Sequence, residues 1–501
     1  MKLIFEYEEQ ATNHVPDVVD DDKHQGEEED ILVGLPRDVI RKDLPLPNVS
    51  EINVVRHYTN ISRMNFGVDL GFYPLGSCTM KYNPKINEDV ARLDGFKDLH
   101  PLSNESCIQG SLQVMWELEQ DLKKITGMDA FSLQPAAGAQ GELLGVMITK
   151  AYYKQKDEKR TKIMIPDSAH GTNPATAAMC KFETITIPSN SRGNIDIYKF
   201  KESLKDDVAL VMLTNPNTLG LFEEKILEIS DLAHTNGTLM YCDGANMNAL
   251  LGITRPSDQG FDMIHLNLHK SFSTPHGGGG PGAGTLGVKS FLSDYLPLPR
   301  VVVVQHDKHF ALDYTKRKSV GMVRYCYGNF GMLVRAYCYI KSWGKNIRSV
   351  SENAILNANY LLSLLKDDYE LPYNRRCAHE FVLSSKKFGE KSALNIAKRL
   401  LDYGFHPPTI YFPLIVREAL MIEPTETESK ETLDRFASAL KSIANEIKEN
   451  PDIVKGSPYT KSVGRLDEVA AARKPNLRWT VPSQSDEKKD SIKEDRPNKN
   501  L

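Results

Sequence analysis

Cysteine, long apolar runs and an excess of either charge are all lacking in this chain. Seven cysteines occur in 501 residues, at positions 78, 107, 180, 242, 326, 338 and 377, and no two form a CxxC pair. An odd, scattered set excludes a disulfide framework and a zinc ribbon, and reduced thiols are the expectation. No stretch approaches the roughly 18 apolar residues that span a bilayer. The opening MKLIFEYEEQ turns acidic before a signal-peptide core could form, so a cytoplasmic, unprocessed chain without a membrane anchor is expected. The 62 Lys and Arg stand against 66 Asp and Glu, a formal net charge of −4, which leaves no bulk positive field for nucleic acid or anionic lipid. Internal repeats are absent as well.

What is present is an ordinary globular composition, 41% apolar and 26% charged with 33 Gly and 27 Pro. At roughly 150 residues per domain, the length favours two or three domains. Residues 17–30 are mostly acidic, and residues 484–501 mix both charge signs around a single Ile, so neither carries the apolar surface to pack. From residue 107 the pattern becomes periodic. Helical spacing of apolar residues runs over 108–125 and 138–153. Short apolar runs at 162–165, 184–187, 208–213, 238–242, 263–268 and 284–288 read as strands, with a helix at 223–235 between two of them. This alternation predicts an α/β layer on a mainly parallel sheet, in which ligands sit at the carboxyl ends of strands. Beyond residue 331, helical patterns at 332–343, 351–365, 392–403 and 430–448 and a strand-like run at 381–383 predict a smaller α+β domain with its own sheet. The expected division is an acidic segment (1–34), an N-terminal arm (35–106), a large domain (107–330), a small C-terminal domain (331–483) and a charged tail (484–501).

Residues 261–284, FDMIHLNLHKSFSTPHGGGGPGAG, are the most informative stretch. An apolar strand leads into His269 and Lys270, then a polar turn and four glycines. A charged lysine is costly to bury there, whereas desolvation lowers its pKa and leaves a nucleophilic amine able to form a Schiff base. Gly277 and the three glycines after it allow positive φ and close approach of backbone amides to a ligand or a neighbouring subunit. One strand unit earlier, Asp243 in YCDGA offers a carboxylate that can keep a pyridine nitrogen protonated and make the ring an electron sink. PAAGAQGE at 135–142 puts small residues at a helix start, whose free N–H groups and dipole suit a phosphate. His170, in SAHGT after another strand, offers a flat imidazole for stacking. Each alone has a plain structural explanation: an exposed strand-end lysine, a capping aspartate, a tight turn, a hydrogen-bonded loop histidine. Together they follow the chain order of pyridoxal-phosphate enzymes of fold type I.

Longer motifs narrow this further. GFYPLGSCTMKYNPKINE at 71–88, PAAGAQGE at 135–142, PDSAHGTNPATAA at 166–178, NPNTLGLFE at 215–223, YCDGANMNALLG at 241–252 and HLNLHKSFSTPHGGGGPGAG at 265–284 resemble the glycine-cleavage P-protein family. The resemblance is to the carboxyl half, which two-chain systems supply as a separate second subunit. It runs from about residue 35 to residue 479 and includes HPPTIYFPLIVREALMIEPTETESKETLD at 406–434. It implies a fold-type-I transferase fold with a mainly parallel large-domain sheet and a smaller α+β C-terminal domain. Carried over by residue, it implies that Lys270 bears pyridoxal 5'-phosphate, Asp243 meets the pyridine nitrogen and His170 stacks on the ring. Ala136, Gly138, Ala139 and Gln140 would lie near the phosphate, and no metal is implied. The implied activity is that of an aminomethyl-transferring, decarboxylating glycine dehydrogenase. Glycine loses its carboxylate as CO2, and the aminomethyl group passes to the lipoyl arm of the H-protein. The implied partners are glycine, lipoylated H-protein and a homologous subunit 1, in an α2β2 heterotetramer.

GGGGPG lacks the GxGxxG arrangement of a nicotinamide site, in keeping with a lipoyl disulfide as the redox partner. From the residues alone, other fold-type-I activities such as a cysteine desulfurase or an aminotransferase stay open, as does a silent scaffold. Against the first two stand the long motifs and scattered thiols; against the last stands the joint presence of Lys270 and Asp243. The group that binds the glycine carboxylate, the proton donor to the aminomethyl carbon, the H-protein surface and any redox role of Cys78 or Cys326 are not legible.

Overall fold

Strands buried on both faces read as unbroken apolar runs, and such runs dictate the centre of this molecule. The computed structural model describes residues 3–7, 36, 39, 49–304, 309–324 and 327–478. Residues 17–30, residues 484–501 and Cys326 lie outside the described residues. Seven strands form one sheet: β1 Ala130–Ser132, β2 Lys162–Pro166, β3 Glu183–Ile187, β4 Val208–Thr214, β5 Leu239–Gly244, β6 Met263–Asn267 and β7 Gly284–Val288. Their spatial order is β1-β7-β6-β5-β4-β2-β3. Strands β2 to β6 pair in parallel, while β7 runs antiparallel to both β6 and β1. Every residue of β5, β6 and β7 is buried, so Asp243 and His265 stand out as polar side chains on interior strands.

The six expected strands are all present, and the sheet is mainly parallel as the alternation predicts. Differences lie at the edges. The helix expected from residue 223 begins at Ile226, because the Glu223 carboxylate is spent on the Ile195 and Lys225 amides in the turn before it. Asp243 lies inside β5 rather than after it, and Lys270 lies in the turn beyond β6, its N–H donating to the Asn267 carbonyl at 3.0 Å. β1, the helix Thr172–Met179 and the ribbon of β8 Arg300–Val304 with β9 His309–Asp313 are short elements with no clear periodic signal.

A second sheet, β10 Phe381–Ser384, β11 Thr409–Ile410 and β12 Ala419–Ile422, is antiparallel in the order β10-β12-β11. Helices Arg348–Leu365, Ser392–Asp402 and Lys430–Glu449 share its apolar core. Residues 71–81 join the two sheets. Phe72 inserts into the small-sheet core edge-on to Phe436, and the Gly76 N–H donates to the Met421 carbonyl at 3.2 Å. Arg335 holds Glu88 with two 2.8 Å hydrogen bonds, tying the helix Lys85–Ala91 to the helix Phe330–Trp343. Among the described residues, no helix is long and apolar enough to cross a membrane.

Candidate active site

The parallel register sets Asp243 directly beside His265 on the neighbouring strand. His265 Nε2 lies 3.2 Å from Asp243 Oδ1, the Ala245 N–H donates to Oδ1 at 3.1 Å, and the Asn173 amide reaches Oδ2 at 3.4 Å. The Tyr241 hydroxyl lies 2.6 Å from His265 Nδ1, so the ring has a close polar partner at each nitrogen. Burial by itself would raise the Asp243 pKa. His265, the Ala245 amide, Lys270 and His170 outweigh it and bring the carboxyl below the usual range, so Asp243 is ionised. Beside it, burial and the Asp243 charge push Glu142 up to about 7, and its Oε1 has no partner.

Across the cavity, Lys270 Nζ donates to the Ser77 carbonyl at 2.6 Å. The preceding His269 is pushed down to about 4, first by burial and then by Lys270, so it stays neutral. Gly277, Gly278 and Gly279 adopt the positive φ that the sequence allows in this loop. The helix Gly138–Gln155 starts at the cavity wall. A Cβ on Gly138 would collide with the Asn267 amide, so only glycine admits this approach of helix to strand. Ala139 also lines the cavity, whereas Ala136 and Gln140 turn to each other: the Ala136 N–H donates to Gln140 Oε1 at 2.7 Å, and Gln140 Nε2 donates to the Val323 carbonyl. His170 sits at the rim, with Nδ1 2.9 Å from the Thr172 hydroxyl and its ring edge-on to Phe412. Partial burial lowers its pKa, opposed by the Asp243 charge.

Lys270, Asp243, His170, Gly138 and Ala139 thus line one cavity of about 180 Å³. It adjoins a wider space of about 610 Å³, with His269 and Lys270 lining both. Sequence reasoning missed the small-domain wall, where His379 and Glu380 line the inner cavity and Glu423 lies within 4.8 Å of both. It also missed Lys81, whose buried ammonium meets Glu426 at 2.7 Å, the Ser271 carbonyl and the Tyr339 hydroxyl. The available signal was positional: Glu380 directly precedes an apolar strand, and Glu423 directly follows one.

The residues present fit pyridoxal 5'-phosphate. A buried, ionised carboxylate and a lysine amine share one cavity, a helix start opens on it, and unpartnered atoms of Glu142, Thr214, Asn267 and His379 stand in its wall. Fold and site together define a pyridoxal-phosphate-dependent enzyme of fold type I. Solved structures agree on the fold. A glycine decarboxylase (P-protein) of the glycine cleavage system, in inhibitor-bound form, superposes with a TM-score of 0.67 over 87% of this chain and all of that one, at 20% identity. A cysteine desulfurase from Thermococcus onnurineus gives 0.58 over 74% of this chain and 95% of its own, at 15% identity.

The family model for the glycine cleavage system P-protein matches residues 7–315, and that for the glycine dehydrogenase C-terminal domain matches residues 350–461. A "probable glycine dehydrogenase (decarboxylating) subunit 2" of Caldanaerobacter subterraneus is 59% identical over 89% of this chain and 93% of its own length. The protein of that name in Desulforamulus reducens is 58% identical with the same coverage of both chains. The chain belongs to the glycine cleavage system P-protein family.

Proposed function

We propose that the protein catalyses the decarboxylation of glycine with pyridoxal 5'-phosphate, as the second subunit of a two-subunit P-protein in the cytoplasm. The carbon dioxide is released, and the aminomethyl group goes to the lipoyl arm of the H-protein. The observation that carries this reading is the pairing of buried Asp243, with His265 Nε2 at 3.2 Å, and Lys270 in one cavity of a P-protein-family chain. Bound there, the cofactor supplies a conjugated ring that takes up the electron pair released as the carboxylate departs. Asp243 would hold a proton on the ring nitrogen, with His265 and Tyr241 supporting its orientation. Lys270 would anchor the cofactor carbonyl, His170 would face the ring, and the helix start at Gly138 and Ala139 would hold the phosphate.

The wider space between Lys270 and the surface is where the lipoyl arm approaches, and Met64, Phe66, Val68 and Met80 give it an apolar side. Exposed apolar side chains on the arm, among them Ile52, Val55, Tyr58, Leu70 and Ile86, suit burial against subunit 1 in an α2β2 assembly. On this reading the chain divides near residue 330, with the cofactor held by 107–330 and walled on one side by 331–483. Glycine-dependent exchange of labelled bicarbonate, measured with lipoylated H-protein, tests it. Exchange is expected with subunit 1 present and not without it. Full exchange by this chain alone would refute the two-subunit reading, and no exchange in the complete mixture would refute glycine decarboxylation.

A further inference from the structure

We propose that Glu380 and Glu423 are positioning residues: from the small domain they fix the turn at residues 77–79, and through the Ser77 carbonyl they set where the Lys270 amine lies and how firmly it holds its proton. The inference rests on the cofactor reading above and extends it to groups that reading does not use. The Ser77 peptide faces both ways, its N–H donating to Glu380 Oε2 at 2.7 Å while its carbonyl accepts from Lys270 Nζ at 2.6 Å. Two residues on, the Thr79 N–H and hydroxyl donate to Glu423 at 3.0 and 2.8 Å. Ser77 and Thr79 both have positive φ, 66° and 49°, a conformation that non-glycine residues keep only when their surroundings impose it. The two carboxyl groups impose it here.

The pair carries one negative charge. Glu423 accepts from Thr79 twice and from the Asn246 amide at 2.8 Å, the environment of a carboxylate. Glu380 accepts one side-chain hydrogen bond, from Ser77, and lies within 4.8 Å of Glu423, so it is the member that keeps a proton. Burial raises both, and the Glu423 charge raises Glu380 further. The other groups facing the pair add no charge at neutral pH except Lys270. His379 is pushed down to about 3 by burial, and the Cys78 and Cys377 thiols are pushed up by burial. The single negative charge therefore stabilises the cation at Lys270.

Titration of the lysine–cofactor chromophore near 420 nm in the holoprotein reads this directly. Glu423→Gln removes the charge, and the titration midpoint is expected to fall by one pH unit or more. Glu423→Asp should restore it to within about 0.3 unit, and Glu380→Gln, which removes a proton carrier but no charge, should leave it equally close. An unchanged midpoint in Glu423→Gln, or an equal shift in Glu380→Gln, would overturn the proposal while leaving the cofactor reading standing. A wild-type protein that forms no chromophore would remove that reading and the proposal with it. A second measurement spares both acids: unfolding of wild type and Lys270→Ala, each saturated with cofactor, followed from pH 6 to 8.5. Without the lysine the pair binds a second proton more readily, so the variant is expected to lose more stability as pH rises, and parallel curves would contradict the coupling.

Discussion

Two buried clusters flank the same cavity, each made of two carboxyl groups and one histidine, and they are built in opposite ways. Glu142, Asp243 and His265 come from the large sheet and the helix beneath it, and strand register alone sets Asp243 beside His265. His379, Glu380 and Glu423 come from the small domain and meet residues 77–79 of the arm. In the first cluster the histidine has a close partner at each nitrogen, Asp243 and Tyr241; in the second, neither ring nitrogen has a hydrogen-bond partner. Each cluster raises one acid against a charged neighbour, Glu142 beside Asp243 and Glu380 beside Glu423. The difference lies in the remaining acid: His265, the Ala245 amide and Lys270 bring Asp243 below the usual range against burial, whereas burial keeps Glu423 raised although it accepts from Thr79 and Asn246. Equal composition thus yields different electrostatics, because neighbouring charges and donors as well as burial set each acid.

The sharpest way to break this contrast is Asp243→Asn. The side chain keeps its size and loses the charge that holds a ring nitrogen protonated, so glycine–bicarbonate exchange is expected to fall by about 3–5 kcal/mol, roughly two to four orders of magnitude, with cofactor still bound. Near-normal exchange would remove Asp243 from the mechanism.

Glu142→Gln probes the same cluster through stability. An acid raised from 4.5 to about 7 keeps its proton in the fold where the unfolded chain has released it, so its protonation favours the fold below about 4.5 and that stability is lost as pH rises through 7. The glutamine has nothing to lose. Relative to wild type, the variant should therefore gain up to about 3 kcal/mol between pH 4.5 and 8 in denaturant titrations. Parallel pH profiles would show that Glu142 titrates normally.

A smaller effect is expected from Tyr241→Phe. It removes the hydrogen-bond partner of buried His265 Nδ1, costing about 1–3 kcal/mol of stability by chemical unfolding. A neutral result would mean that His265 needs no anchor, like His379.

The two clusters also differ in how far they are legible in the sequence. Asp243, Lys270 and the glycines at 277–280 are local features: a polar residue in or just beyond an apolar run, then a stretch that can adopt positive φ, as three of the four glycines do. The large sheet is legible for the same reason, since strands buried on both faces leave unbroken apolar runs. Glu380 and Glu423 gain their meaning only when Ser77, Thr79 and Lys270 fold between them, and no periodicity links positions 77, 270, 380 and 423. Gln140 shows the converse. It stands in the phosphate motif, yet its side chain is taken up by the Ala136 and Val323 backbone. The strand β1 escapes because three residues cannot display a period.

The central claim is that Lys270 carries the cofactor. Two lysines, Lys270 and Lys81, line the space that leads to the surface, and only Lys81 is locked into an ion pair, with Glu426. Borohydride reduction of the holoprotein, followed by peptide mass mapping, distinguishes them. The phosphopyridoxyl mass is expected on the peptide containing Lys270 and nowhere else; its appearance on Lys81, or its persistence in Lys270→Ala, would contradict the account.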